Sequence, residues 1–186
     1  MRIISGELKG RSINFLKNSN TRPLKDTVRE NIFNILKHSN LIKTKIENAN
    51  ILDLYSGIGS FGIECISRGA DKVTFIEKDK NATGILNENL IRLSIKNKCK
   101  IHISTIEDCL AKNIKEQFHI FFFDPPFKDI DFIKSLETIK KKRIFRKNHI
   151  VIIHREKSSI DNFNDLLEII EIKQYGRSKI IFGLLN

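Results

Sequence analysis

Ile51-Leu52-Asp53-Leu54-Tyr55-Ser56-Gly57-Ile58-Gly59 is an apolar run that breaks into two glycines, and the fold follows from how it is read. Ile51–Tyr55 has the length and composition of a buried strand, and Ser60–Arg68 behind it reads as a helix. Glycines at such a junction let the backbone turn sharply and pass close to a ligand, as loops under nucleotide-like cofactors require. A second strand, Val73–Glu77, closes on an acid twenty residues after Gly57. The Glu77 carboxylate is placed there to accept hydrogen bonds from two ribose hydroxyls.

Gly57-Ile58-Gly59-Ser60-Phe61-Gly62 also matches GxGxxG, which with an acid twenty residues on suggests a dinucleotide and hydride transfer. Two features argue against it. Asp53 precedes the glycines, where a negative charge suits an ammonium better than a pyrophosphate, and nothing nearby resembles a hydride-transfer acid or base. S-adenosylmethionine satisfies both acids, with its amino group toward Asp53 and its ribose toward Glu77. Beyond the third strand, Thr105 and Ile106 fall where an adenine ring would be bracketed; the same residues also read as an ordinary helix N-terminus.

From Asn50 onward the chain alternates strand and helix with short connections, which predicts a mostly parallel sheet covered on both faces. The strands are read at Ile51–Tyr55, Val73–Glu77, Lys100–Ile103, Ile120–Asp124, Ile150–His154, Glu168–Gln174 and Lys179–Leu185. Helices are read near Ser60–Arg68, Lys80–Leu93, Glu107–Lys112 and Asp131–Lys140, with a short turn around 161–166. Only Tyr175-Gly176-Arg177-Ser178 separates the last two strands, and so short a link joins antiparallel neighbours. The fold class is therefore α/β: a Rossmann-like seven-stranded sheet, mostly parallel, with one antiparallel strand near the C-terminal edge. Residues 1–45 form an N-terminal extension rather than an independent domain, and 46–186 the main domain. In the extension, Arg2-Ile3-Ile4 and Arg11 to Phe15 read as a hairpin, and Lys17-Asn18-Ser19-Asn20 as a polar loop. Thr27 and Glu30 read as a capping box ahead of a helix ending near His38-Ser39.

The strand at Ile120–Asp124 stops at Asp124-Pro125-Pro126-Phe127. An acid, two residues without backbone N–H groups and an aromatic ring offer acceptors and a flat apolar face but few donors. That suits a planar amine: an exocyclic NH2 donates to Asp124 and to a carbonyl of the proline segment while its ring stacks on Phe127.

The 186 residues carry 33 Lys and Arg against 22 Asp and Glu, a formal charge of +11. Residues 1–45 hold ten of the basic and three of the acidic side chains, so +7 of the +11 lies there. This points to a polyanionic partner, with Arg2, Arg11, Arg22, Lys25 and Arg29 as the candidate nucleic-acid contacts. No apolar stretch reaches the roughly 18 residues of a membrane span. The opening residues lack a secretory segment, so a cytoplasmic location is expected. Cys65, Cys99 and Cys109 have no CxxC spacing and the five histidines form no HExxH, so reduced thiols and no metal are expected.

Taken together, Arg2-Ile3-Ile4-Ser5-Gly6 with Lys9-Gly10-Arg11, Thr21-Arg22-Pro23 with Asp26 and Val28-Arg29-Glu30, Asp53 to Gly59 with Gly62-Ile63-Glu64 and Ser67-Arg68-Gly69-Ala70, Glu77-Lys78-Asp79, and Asp124 to Phe127 give the chain a family likeness. It resembles the class I S-adenosylmethionine-dependent methyltransferases, and within them the bacterial 16S ribosomal RNA guanine-N2 methyltransferase family. The resemblance implies methyl transfer to N2 of one guanine of 16S rRNA, within the small ribosomal subunit or an assembly intermediate, by a protein expected to be a monomer and to need no metal. It further implies that Asp53, Ser56, Gly57 and Gly59 hold the methionine part, with Tyr55 also among the cofactor contacts, Glu77 and Lys78 the ribose and its surroundings, Thr105 and Ile106 the adenine, and Asp124, Pro125, Pro126 and Phe127 the target base. Leu24 and Thr27 depart from the family pattern, which has Thr and Arg there; Thr105 stands where many relatives carry an acid.

Two other readings use the same residues. A DNA adenine-N6 methyltransferase shares the pocket but normally carries a sequence-reading domain, for which about 45 residues before the sheet leave no obvious recognition helix. A non-catalytic RNA-binding module with a vestigial cofactor fold is disfavoured by the intact acids and the intact Asp124 to Phe127.

Overall fold

The computed structural model describes residues 1–15 and 24–186. Its elements run α1 (Asp26–His38), β1 (Asn50–Leu54), α2 (Ser60–Ser67), β2 (Lys72–Glu77), α3 (Lys80–Arg92), β3 (Cys99–Ile103), α4 (Ile106–Ala111), β4 (Phe118–Phe123), α5 (Phe132–Lys142), β5 (Phe145–Glu156), β6 (Leu167–Tyr175) and β7 (Ser178–Leu185). The sheet order is β3-β2-β1-β4-β5-β7-β6. β7 runs antiparallel to both its neighbours, and every other pairing is parallel. This is the expected mostly parallel sheet with one antiparallel strand beside its C-terminal edge.

Strand residues alternate between two apolar layers, as a pleated sheet covered on both faces requires. Ile51, Val73, Phe75, Ile120, Phe122 and Ile152 pack with α1, α2 and α3 on one face. Leu52, Leu54, Ile76, Phe121, Phe123 and Val151 pack with α4 and α5 on the other. On the first face Phe61 of α2 stacks between Phe122 at 4.0 Å and Phe33 of α1 at 5.2 Å. Such pairs contribute about 0.5–1.5 kcal/mol beyond the area they bury, and here they tie the N-terminal helix to the sheet.

The N-terminal extension shares that core: Ile3, Ile13, Leu24, Val28 and Ile32 belong to the same apolar cluster as the sheet. The expected hairpin forms as a short antiparallel pairing, with one bridge, Arg2 with Ser12, flanked by hydrogen bonds from Ile3 N–H to the Arg11 carbonyl (3.0 Å) and from Ile13 N–H to the Met1 carbonyl (2.9 Å). Its backbone is also pinned to α2, where the buried Glu64 carboxylate accepts from the N–H groups of Ile4 (2.8 Å) and Ser5 (2.9 Å). The capping box is not formed. α1 begins at Asp26, one residue before Thr27, and no side chain caps it; burial of Val28 and the ion pair of Asp26 with Arg29 (3.1 Å) set its start instead. The polar loop read at Lys17–Asn20 lies outside the described residues. β5 is longer than the reading Ile150–His154, because its polar first half, with Arg146-Lys147-Asn148 exposed, hid it.

Candidate active site

From β1 the chain winds toward β2 and β3, then crosses back to place β4 on the other side of β1. Ligands of open α/β sheets bind at such a reversal, outside the carboxyl ends of the strands. A cleft of about 640 Å³ lies there, lined by the glycine loop after β1, the ends of β2 and β3, and the Asp124 to Phe127 turn after β4. Asp124 and Gly57 face this one cleft.

Tyr55, the residue after β1, has φ +58°, a left-handed backbone uncommon in a residue with a Cβ; it turns the chain into the loop. Burial, then the nearby Asp129 carboxylate, push its phenol pKa up. Ser56 N–H still bonds to the Ile76 carbonyl (3.2 Å). Gly59 has φ +80°, and a Cβ there would meet Leu86 at 2.3 Å, so only glycine lets α2 start this close to α3. Gly57 N–H donates to Glu77 Oε2 at 2.8 Å, and Asp79 N–H to Glu77 Oε1 at 2.9 Å. Glu77 thus locks the loop to the end of β2 while facing the cleft, beside Lys78.

Asp53 and Gly59 sit behind the cleft rather than in its wall. The Asp53 carboxylate is 1% exposed and accepts from Gly62 N–H at 3.0 Å, tethering the first turn of α2. This corrects the reading in which Asp53 presents its charge to a cofactor's ammonium. The side chain sits between β1 and α2, and desolvation pushes its pKa well above the carboxylate range, aided by Asp124 and Glu77 and opposed by the Gly62 N–H. Asp53 Oδ1 and Ser56 Oγ are buried without a hydrogen-bond partner among the described residues. Thr105 and Ile106 do line the cleft, and Thr105 also caps α4, its hydroxyl accepting from Asp108 N–H (3.1 Å). The segment is thus a helix N-terminus that also borders the cleft.

Asp124, Pro125, Pro126 and the half-exposed Phe127 form the opposite wall. Sequence reasoning missed their supports on β5. His154 Nδ1 lies 2.7 Å from Asp124 Oδ1, and its ring meets Phe127 edge-on at 5.6 Å. The buried Arg155 donates to the Pro126 carbonyl (3.2 Å) and to Asp161 (3.0 Å), its guanidinium over the Phe132 ring. Phe123 pairs with Ile153, and this register puts His154 beside Asp124. Tyr175 and Arg177, from the last hairpin, also reach the cleft.

The five N-terminal cations separate. Lys25 lines the cleft, and Arg2 is exposed. Arg22 lies outside the described residues. Arg11 is exposed, but its guanidinium donates to the Arg92 carbonyl (2.9 Å) at the end of α3. Arg29 is a correction: it is fully buried, paired with Asp26, 3.9 Å from Glu64, and bonded to the Arg2 carbonyl (2.6 Å). It is a core cation and offers nothing to a nucleic acid.

The family described as Conserved hypothetical protein 95 matches residues 1–183. A Ribosomal RNA small subunit methyltransferase D of Buchnera aphidicola is 34% identical over 84% of this chain and 76% of its own length. The chain belongs to this methyltransferase family. The fold agrees: a solved Escherichia coli protein named as a methyltransferase is 24% identical, covers 100% of this chain and 98% of its own, and superposes with a TM-score of 0.85. An O-methyltransferase from Bacillus cereus, solved with S-adenosylhomocysteine, covers 88% of this chain and 93% of its own at 15% identity and a TM-score of 0.62. The family resemblance read from the motifs is therefore established. Among the described residues no helix is long and apolar enough to cross a membrane, and no group of three potential metal ligands occurs.

Proposed function

We propose that this chain transfers a methyl group from S-adenosylmethionine to the exocyclic N2 amine of a guanine in 16S rRNA, acting as a cytoplasmic monomer on the small ribosomal subunit or an assembly intermediate. The observation that carries this is the shared cleft: a carboxylate, a donor-free proline turn and an exposed aromatic ring stand opposite a glycine loop locked by an acid.

The residues present fit the cofactor. Ser56 Oγ is an orphaned buried hydroxyl beside Gly57, where a Cβ would meet nothing within 4 Å, which leaves room and a polar partner for the methionine part. Glu77 takes one backbone N–H on each oxygen and keeps free lone pairs for ribose hydroxyls. Ile106 is the first residue of α4, so its N–H has no partner inside the helix and can donate to adenine. When bound, S-adenosylmethionine supplies an electrophilic methyl on a sulfonium.

An aromatic amine is a weak nucleophile because its lone pair is delocalised into the ring. Asp124 and the Pro125 carbonyl accept from the NH2 and favour a more tetrahedral nitrogen with its lone pair aimed at the methyl. Phe127 fixes the ring plane, and Asp124 takes up the proton that the nitrogen loses once its new bond has formed. The base must be unpaired to enter, so an RNA loop is the expected target. Of the candidate N-terminal contacts among the described residues, Lys25 and Arg2 are exposed and face no internal partner.

The test is incubation with radiolabelled S-adenosylmethionine and small subunits lacking the modification, with naked rRNA and DNA in parallel, followed by nucleoside analysis. Label in N2-methylguanosine, lost in Asp124→Ala with cofactor binding retained, is expected. Label in N6-methyladenine of DNA, or no cofactor binding, overturns the proposal.

A further inference from the structure

An Asp side chain at the end of a strand is ordinarily steadied by N–H groups one or two residues on, in an Asx turn. Asp124 cannot be: the next two residues are Pro125 and Pro126, and neither has an N–H. The turn that makes the site poor in donors for a substrate also leaves its carboxylate without local support. The terminal torsion of Asp is broad and close to two-fold, so an unsupported carboxylate samples orientations of which few point an oxygen at the acceptor amine.

One donor does reach it. His154 Nδ1 is 2.7 Å from Asp124 Oδ1, and among the described residues no other hydrogen bond to this carboxylate occurs. The imidazole is itself held. It stands near the end of β5, one residue past the Phe123–Ile153 pair and paired across to Ile180 of β7. Its side chain is 12% exposed, and the Phe127 ring meets it edge-on at 73°. A side chain on a paired central strand is a firmer reference than one on a loop.

We propose that His154 is the positioning residue of this site: its Nδ1–H donates to Asp124 Oδ1, fixes the carboxylate plane and leaves Oδ2 to the acceptor amine. The proposal rests on the methyl-transfer reading above. His154 acts through Asp124 and takes no proton from the substrate. Because Phe127 packs on the same imidazole, one side chain sets the angle between the carboxylate that holds the amine and the ring that stacks on the base.

Two variants separate positioning from packing. His154→Asn keeps a short amide donor near Oδ1, and His154→Phe keeps a ring against Phe127 and loses the donor. With subunits as substrate, His154→Phe is expected to lower kcat on the order of 10- to 100-fold, the scale of a small misplacement of a reacting group. Its KM for subunits and its affinity for S-adenosylmethionine should stay within about twofold, and His154→Asn should recover much of the kcat. Nitrogen-15 spectra of the cofactor-free protein should find a proton on His154 Nδ1. Wild-type kcat in His154→Phe, equal losses in both variants, or an Nδ1 without a proton would each overturn the role while leaving methyl transfer intact. A wild-type chain that binds the cofactor and methylates no nucleic acid overturns both.

Discussion

Gly57 and Glu77 are joined across the carboxyl end of the sheet: the N–H at the top of the glycine loop donates to the carboxylate that ends β2, 2.8 Å away. Loop and acid form one unit, because the second oxygen of Glu77 accepts from Asp79 N–H at the start of α3. Each oxygen already faces an N–H donor. In Glu77→Gln one of those positions becomes an NH2 that points a donor at a donor. Losing a hydrogen bond to a charged group costs about 1.5–3 kcal/mol, so the affinity for S-adenosylmethionine should fall by about ten- to a hundredfold by calorimetry. Unchanged affinity would remove Glu77 from the cofactor site.

Arg29 gives the opposite expectation from the one its charge suggests. Its guanidinium is buried among Asp26, Glu64 and the Arg2 carbonyl, and Glu64 in turn holds the backbone of Ile4 and Ser5. Without Arg29, Asp26 stays in solvent and Glu64 keeps Arg68 and its two N–H donors, so the loss is that of hydrogen bonds to a charged group, about 1.5–3 kcal/mol. Arg29→Met should lower stability in chemical denaturation by roughly that amount, while the folded variant binds small subunits as the wild type does. Weakened subunit binding with unchanged stability would return Arg29 to the RNA surface.

What could be read from the sequence follows physical range. The alternation of strands and helices, the antiparallel pairing of the last two strands and the glycine loop all follow from local signals: apolar runs, glycine junctions and the four-residue link Tyr175–Ser178. Asp124 to Phe127 is legible because its chemistry lies within four consecutive residues. Arg29, Asp53 and His154 were misjudged or missed because their roles depend on partners in other elements, at Glu64, Gly62 and Asp124. Charge alone does not separate a core cation from a phosphate contact, and an acid before a glycine loop reads alike whether it faces the ligand or the helix behind it. Only His154 was within reach, since two adjacent parallel strands ending together place it beside Asp124.

Asp53 makes stability depend on pH. Desolvation first, with Asp124 and Glu77 adding to it, raises its pKa above that of the unfolded chain, against the pull of the Gly62 N–H. The native state therefore holds this proton more tightly than the unfolded one. The stabilisation is complete below the ordinary Asp value of about 3.9 and is lost as pH rises through the folded-state value. Asp53→Asn carries no such proton, so its stability relative to the wild type should improve as pH rises through that window, as read by denaturant midpoints at a series of pH values. A difference between the two that stays constant with pH would mean that the fold does not raise the Asp53 pKa.

Arg155 tests whether the proline turn is held from behind. Its guanidinium bonds to Asp161, which is also buried, and to the Pro126 carbonyl, and lies 4.7 Å from the centroid of the Phe132 ring. Adjacent residues on a strand point to opposite faces, so His154 and Arg155 take the turn from its two sides. A lysine has neither the planar fork for Asp161 nor the reach to keep the carbonyl as well. Arg155→Lys should therefore lose a hydrogen bond between charged groups, about 1.5–3 kcal/mol of stability, and let the Pro126 carbonyl drift. Since the turn carries Asp124 and Phe127 and no part of the glycine loop, kcat should fall while affinity for S-adenosylmethionine holds. Equal losses in kcat and cofactor affinity would mean that Arg155 supports the whole sheet end rather than this turn.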